Sequence, residues 1–550
     1  MFWLDRIFGD IEVQLKDKIA SGKTLLVRDE KTASGRVHVG SMRALVLHAA
    51  IAERLGEAGI PHEFKYEMND MDHMDGLPAY LDKAVYEKEM GKPLYAIPVP
   101  EVISGFSVQA DGATNFAEFF ANEYRAAILK AGFKPEFYYA SELYRSGKMN
   151  EAIRLALDKA EVVRRIYKEV SGAERKDDWF PLLTMCEQCG KSGTTRVVAW
   201  DGEKVTYRCL PKAVEWAVGC GHEAHVSPFD GRAKFPWKID WPAKWFVLGV
   251  DIEGGGKDHY SKGGARDVAK RISEEVFNYP EPFGVANEFF LIGGKKMSSS
   301  KGAGASAKDI VALVPQHIFR LALFGKDVNQ QINFDPEGDT IPLLYDQYDK
   351  LAEGYKTNQT DDYARLFQYL HAASERPGLL KAVERFLPRF SQVAFLAQMP
   401  HMDFFEEIAK LKHAEKREDG GELTEADRAE ATERREYAQK WLDAYAPEKF
   451  VFKLQTELPE ATRALSTIQK KALSALADCL KVEPAPQMPS GEALHHKLHE
   501  IKESEEIAPG ELFSAIYLTF LGKSFGPKAG WFLSVLEKDF VIKRLQEASA

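Results

Sequence analysis

Cysteine is scarce in this chain, with five among 550 residues. That scarcity excludes a disulfide-stapled scaffold. Four of the five (Cys186, Cys189, Cys209 and Cys220) fall in one short window, far from Cys479. In a large chain so poor in thiols, such a cluster points to metal rather than to cross-links. Long apolar runs are also missing: none reaches the roughly 18 residues needed to span a bilayer. The opening MFWLDRIFGDIEVQLKDK lacks the basic start and apolar core of a secretory leader, so a cytoplasmic protein is expected. There is no internal repeat and no low-complexity tract. Basic charge is not in surplus, since 73 Lys and Arg face 83 Asp and Glu for a net charge of -10. A uniformly basic polyanion binder is thereby excluded, although a local basic surface could still meet a nucleic acid.

What is present is the composition of a globular protein, 45% hydrophobic and 28% charged, long enough for roughly two to four domains. The first half alternates apolar runs with helical patterns, as a parallel α/β sheet requires. Residues 24–27 predict a strand, followed by a Gly- and Ser-containing turn. A helix over about 41–55 follows, in which Met42, Leu45, Val46 and Ala49 recur at helical spacing. Residues 62–68 predict the next strand, 112–175 helices, and 179–241 a loop-rich stretch holding the cysteines. Residues 245–252 and 287–292 are further strand candidates, each ending in glycines. From about residue 311 the pattern is helical, and the alternating charges of 410–440 predict a solvated helical hairpin.

Three glycine-punctuated stretches carry the chemistry. The first, T-A-S-G-R-V-H-V-G-S (32–41), lies between strand and helix. Gly35 and Gly40 let the backbone turn and approach a ligand, and His38 can meet a phosphoryl oxygen at the new helix's positive end. Standing alone, such a stretch is more often just a turn. The second, D-I-E-G-G-G-K-D-H (251–259), exposes backbone amides at the carboxyl end of a strand, where open α/β folds bind ligands. The third, G-G-K-K-M-S-S-S-K-G (293–302), frames hydroxyls and cations with glycines, which suits a polyphosphate whose charge is being redistributed.

Taken as an ordered set, these stretches resemble the signatures of class I aminoacyl-tRNA synthetases. His38-Val39-Gly40-Ser41 is similar to His-Ile-Gly-His, and Lys296-Met297-Ser298-Ser299-Ser300 to Lys-Met-Ser-Lys-Ser. Ser41 and Ser299 depart from those patterns, and Lys301 is a candidate for the missing second lysine. Within the class the chain resembles the lysyl-tRNA synthetases, through 32–40, Y-R-S-G (144–147), W-P-A-K-W (241–245), G-K-D-H (256–259), 296–302, N-F-D-P (333–336) and Y-D-Q-Y (345–348).

The resemblance implies an α/β Rossmann-type catalytic domain with a zinc-binding insertion, followed by an all-α C-terminal domain. The expected boundaries are 1–292 for the catalytic domain, with its insertion at about 93–235. A signature-loop region at 293–345 and a helical anticodon-binding domain at 346–550 complete the chain. It implies ATP-dependent activation of lysine and its transfer to tRNA(Lys), with Mg²⁺ assisting. His38, Lys296 and Lys301 would be catalytic. Ser34, Gly35, His38, Gly40, Gly256, Asp258, Lys296, Met297, Ser298, Ser299 and Ser300 would hold ATP. A lysine ε-ammonium needs carboxylates, and its stem an apolar or aromatic wall. Thr32, Asp70, Asp72, Trp245 and His259 are the expected contacts, although these carboxylates could instead cap a helix or hold the α-amino group. The cysteine window matches a structural Cys₄ zinc knuckle, with His222 or His225 as possible substitutes for one sulfur. A monomer is expected. Glutamyl or glutaminyl specificity, a small-molecule nucleotidyltransferase and a noncatalytic tRNA-binding paralogue are the rival readings.

Overall fold

The computed structural model describes residues 1–104, 106–108, 111–295, 305–371, 375–399, 402–414, 422–482 and 487–550. It divides into two compact units, one of residues 1–334 and 357–377, the other of 335–356 and 378–550.

The first unit is built on parallel strands. Helix α1 (Trp3–Gln14) precedes β1 (Leu25–Thr32). After the His38 turn, α2 (Met42–Glu57) crosses back to β2 (His62–Asn69). Helix α3 (Phe116–Lys130) then leads to β3 (Glu136–Tyr139), which ends directly in the short helix α4 (Ala140–Arg145). The three strands pair in the order β1-β2-β3, all parallel. On the free side of β1 the sheet continues through single parallel bridges, Val27 to Ile252 and Ile252 to Phe283. Such parallel pairing needs helical crossovers and buries both faces, which is why Leu25, Val27 and the whole inner face of α2 are enclosed.

Between β3 and the later part of the sheet lies the cysteine-bearing insertion. Strand β4 (Leu183–Thr184) is followed by an antiparallel meander of β5 (Thr195–Trp200), β6 (Val205–Cys209) and β7 (Glu223–Val226). The returning strand β8 (Ala233–Lys234) pairs with β4.

The next stretch corrects the sequence reading. Residues 245–252 do not form a strand; helix α5 (Trp237–Leu248) takes the first half of them and stops at Gly249 in the left-handed conformation. The apolar run concealed helical pairs at four-residue spacing: Trp241 with Trp245, and Asp240 with Lys244, which are ion-paired at 2.7 Å. Helix α6 (Ala265–Glu275) packs on α5. The candidate strand at 287–292 is two short ones. Between α5 and α6, β9 (Gly255–Gly256) pairs with β10 (Ala286–Asn287), while β11 (Phe290–Ile292) pairs with β12 (Ile332–Phe334).

The described part of the second unit is helical, including α7 (Thr340–Thr357), α8 (Glu425–Ala444), α9 (Thr467–Val482) and α10 (Lys538–Ser549). The charged stretch at 410–440 is not wholly solvated. Lys412 is buried against Asp427 at 2.9 Å, and Arg434 against Glu430 at 2.7 Å. Among the described residues no helix is long and apolar enough to cross a membrane.

Candidate active site

A cavity of about 700 Å³ opens at the carboxyl ends of the parallel strands. One side is built by β1 and the turn after it. Thr32 is the last residue of β1, and its hydroxyl donates to Asp72 at 2.5 Å. Asp72 also accepts from Lys234, which β8 brings in from the insertion. Burial alone would raise the Asp72 carboxyl, but Lys234 outweighs it and holds Asp72 well below the usual range. Ser34, His38, Gly40 and Ser41 line the same wall. Gly35 makes the turn itself, at a φ of 153°, and is not on the wall.

Behind this wall lies a buried charge network. The fully enclosed Arg28 guanidinium donates to Glu30 (2.5 Å), Glu253 (2.6 Å), Glu67 (2.8 Å) and the Tyr138 hydroxyl (2.8 Å). Lys244, also enclosed, reaches Glu67, Asp240 and Glu30. Burial would raise Glu30, yet Lys244 and Arg28 hold it at about 2. At Glu253 burial prevails and raises the carboxyl. Its oxygens accept from the indoles of Trp241 and Trp245, both at 2.9 Å. Buried charges persist only when paired and hydrogen-bonded in this way.

The opposite wall comes from Gly254, Gly255, Gly256, Asp258 and His259, and from 287–290. Gly254 has to be glycine, because a Cβ there would stand 2.5 Å from the Val285 carbonyl oxygen. The mouth is aromatic: Trp237, 43% exposed, lies with its ring 5.4 Å from that of His259, and Trp241 is 5.9 Å from the same imidazole.

The chain matches the model of class I tRNA synthetases of the K type over residues 1–374. It belongs to that family. An anticodon-binding domain model matches residues 363–549. A lysine–tRNA ligase of Methanosarcina barkeri is 34% identical, over all of this chain and 97% of its own length. The lysine–tRNA ligase 1 of Methanosarcina acetivorans is 33% identical, over all of this chain and 98% of its own length. The lysine–tRNA ligase of Thermoplasma acidophilum is 29% identical, over 99% of this chain and 98% of its own. The fold is accordingly the class I synthetase catalytic fold with a mostly helical C-terminal region.

Of the residues singled out in the sequence, Thr32, Ser34, His38, Gly40, Asp72, Gly256, Asp258 and His259 meet around this one cavity. Asp70 and Trp245 do not reach it. Asp70 accepts from the Ser141 backbone N–H at 2.8 Å and its hydroxyl at 2.5 Å, capping α4. Trp245 is fully buried beneath the floor and spends its N–H on Glu253. Lys296, Met297, Ser298, Ser299, Ser300 and Lys301 lie outside the described residues. Sequence reasoning missed Glu30, Lys234, Trp237 and Trp241. The two tryptophans carried a signal, being one turn apart with His259 at the next ligand-binding turn; Lys234 carried none.

The four cysteines form the one group of possible metal ligands found among the described residues, with sulfurs all within 4.8 Å of one another. Cys186 to Cys220 and Cys189 to Cys209 are each 3.6 Å. Sulfurs on a tetrahedral zinc, each about 2.3 Å from it, stand about 3.8 Å apart. Gly190 and Gly221, both at positive φ, turn the chain at the two ends of the cluster. His225 is engaged with Asp201 at 3.0 Å instead.

Proposed function

We propose that this protein is a lysine–tRNA ligase: it joins lysine to ATP as lysyl-adenylate, releasing pyrophosphate, and then esterifies the end of tRNA(Lys). The observation that carries this reading is the convergence of the first signature turn, the glycine loop and an acid- and aromatic-lined wall on one cavity. The whole-length likeness to lysine–tRNA ligases supports it further.

The chemistry needs no protein nucleophile. The substrate carboxylate attacks the α-phosphorus in line, so the protein contributes positioning and charge stabilisation. His38 hydrogen-bonds the phosphoryl oxygens as charge builds on them. Gly256 and Asp258 hold the adenosine, and Ser34 and Gly40 flank the phosphates. Lys296 and Lys301 accompany the departing pyrophosphate, which ATP brings with Mg²⁺. Thr32 and Asp72 address the amino groups of lysine, and Trp237, Trp241 and His259 enclose its stem. The anticodon is read by the helical unit.

Glutamate fits this cavity less well. Of the two cations of β1, Arg28 is enclosed by Glu30, Glu67 and Glu253, and Lys31, at the cavity, already faces Asp29, Asp72 and Glu30. The four cysteines would hold a structural zinc, which would supply cohesion to the β5–β7 meander and no reaction step.

ATP–pyrophosphate exchange with each of the twenty amino acids, with and without tRNA, tests the reading. Exchange with lysine alone is expected. Exchange with glutamate or glutamine would overturn the substrate, and silence with tRNA binding intact would mark a paralogue without chemistry. His38→Ala is expected to lower exchange by about 10²–10³ while leaving lysine binding intact.

A further inference from the structure

One buried histidine joins the wall of the first signature to that of the glycine loop without touching the cavity. His48, in the second turn of α2, is completely enclosed. Its Nε2 lies 2.7 Å from the backbone nitrogen of Gly254, the first glycine of the loop. Its Nδ1 lies 2.8 Å from the Ala44 carbonyl oxygen and 3.3 Å from Asp29 Oδ2. A backbone N–H can only donate, so Nε2 carries the lone pair. The ring proton is then on Nδ1, pointing at two acceptors. A single neutral tautomer serves both Gly254 and Ala44.

The partner of that bond has little freedom of its own. Gly254 is pressed against the Val285 carbonyl, and Gly255 hydrogen-bonds back to the same residue at 3.2 Å. His48 therefore ties the start of the glycine loop to the helix following the first signature. Gly254, Gly255 and Gly256 then line the cavity on one side, and Asp29, behind His48, lines it on the other.

We propose that His48 is a positioning residue for the nucleotide: it fixes the glycine loop relative to the His38 turn, so that ATP meets both at once. This inference rests on the reading of the cavity as an ATP site.

The test compares His48→Ala and His48→Gln with the unaltered protein in lysine-dependent pyrophosphate exchange, with total tRNA present. In His48→Ala the KM for ATP is expected to rise on the order of tenfold, the effect of leaving one buried donor unpaired in the binding-competent loop. The KM for lysine should change less than about twofold, because of its contacts only His259 stands on the glycine-loop wall, and Thr32 and Asp72 stand on the wall across the cavity. His48→Gln, whose amide oxygen can accept from Gly254, should recover most of the loss. Equal rises in both KM values, an unchanged KM for ATP, or a Gln variant no better than Ala would each overturn the proposal. If the unaltered protein shows no lysine-dependent exchange, the functional reading fails instead. Equilibrium dialysis with labelled ATP then compares the three proteins directly, and equal affinities overturn the role of His48.

Discussion

Lys234 pairs with Asp72 across 162 residues of chain, joining the cysteine-bearing insertion to the end of the catalytic sheet. Asp72 in turn accepts from Thr32, so an insertion residue sets the charge and aim of a carboxylate at the cavity wall.

Replacing Lys234 by Met strands that carboxylate. Breaking a buried pair from one side costs about 3–5 kcal/mol, so both the unfolding midpoint and lysine affinity should fall. Adding Asp72→Asn should restore much of the stability but not the KM for lysine. Thermal unfolding and exchange kinetics on the single and double variants check this. Recovery of both together would reduce the pair to a purely structural tie.

Acid should unfold the protein partly through Glu30. Lys244 and Arg28 hold its carboxyl at about 2, below the ordinary glutamate value of 4.5. Its contribution to stability is therefore complete above the higher value and is lost as pH falls towards the lower one. Glu30→Gln removes this linkage, so urea midpoints measured at about pH 5 and about pH 3 should differ less in the variant than in the parent. An unchanged difference would count against the pairing with Arg28 and Lys244.

Two tryptophans of α5 should behave oppositely. Trp245→Ala empties a fully enclosed site and leaves a Glu253 oxygen unpaired, at a cost of about 3–5 kcal/mol in stability. Trp237→Ala, at the exposed mouth, should leave the unfolding midpoint almost untouched and raise the KM for lysine several-fold. Denaturant titration beside exchange kinetics distinguishes the two, and a reversed pattern would reassign the lysine wall.

The contrast shows what the sequence could and could not tell. The turn around His38 and the glycines at 254–256 were legible because special backbone conformations demand special residues. Helix α2 was legible from periodicity, and β1 only in part, since the strand expected over 24–27 runs on to Thr32. The buried face of α5 was not, because an apolar run of that length satisfies either period until its neighbours are known. Asp70 and Asp72 look equivalent in N-D-M-D-H-M-D, yet Ser141 takes one and Lys234 the other. Pairings between residues so far apart in the chain leave no local trace.

The zinc reading makes its own demand. Trp216, between Cys209 and Cys220, stacks on His73 with ring centroids 5.3 Å apart, and His73 lines the cavity. Cys209→Ser is expected to abolish zinc in metal analysis and to raise the KM for lysine more than that for ATP. A parent protein purified free of zinc and fully active would sink the assignment.

The enclosed charges beneath the cavity also bear on how such a protein can change over time. Arg28 and Lys244 share Glu30 and Glu67 between them. Each loss leaves the others one partner fewer, with Glu253 and Asp240 holding Arg28 and Lys244 in part, so every single replacement at the floor costs stability before any gain in a new amino-acid preference. Trp237 and His259 at the rim lie outside that network, so replacement one codon at a time costs less there.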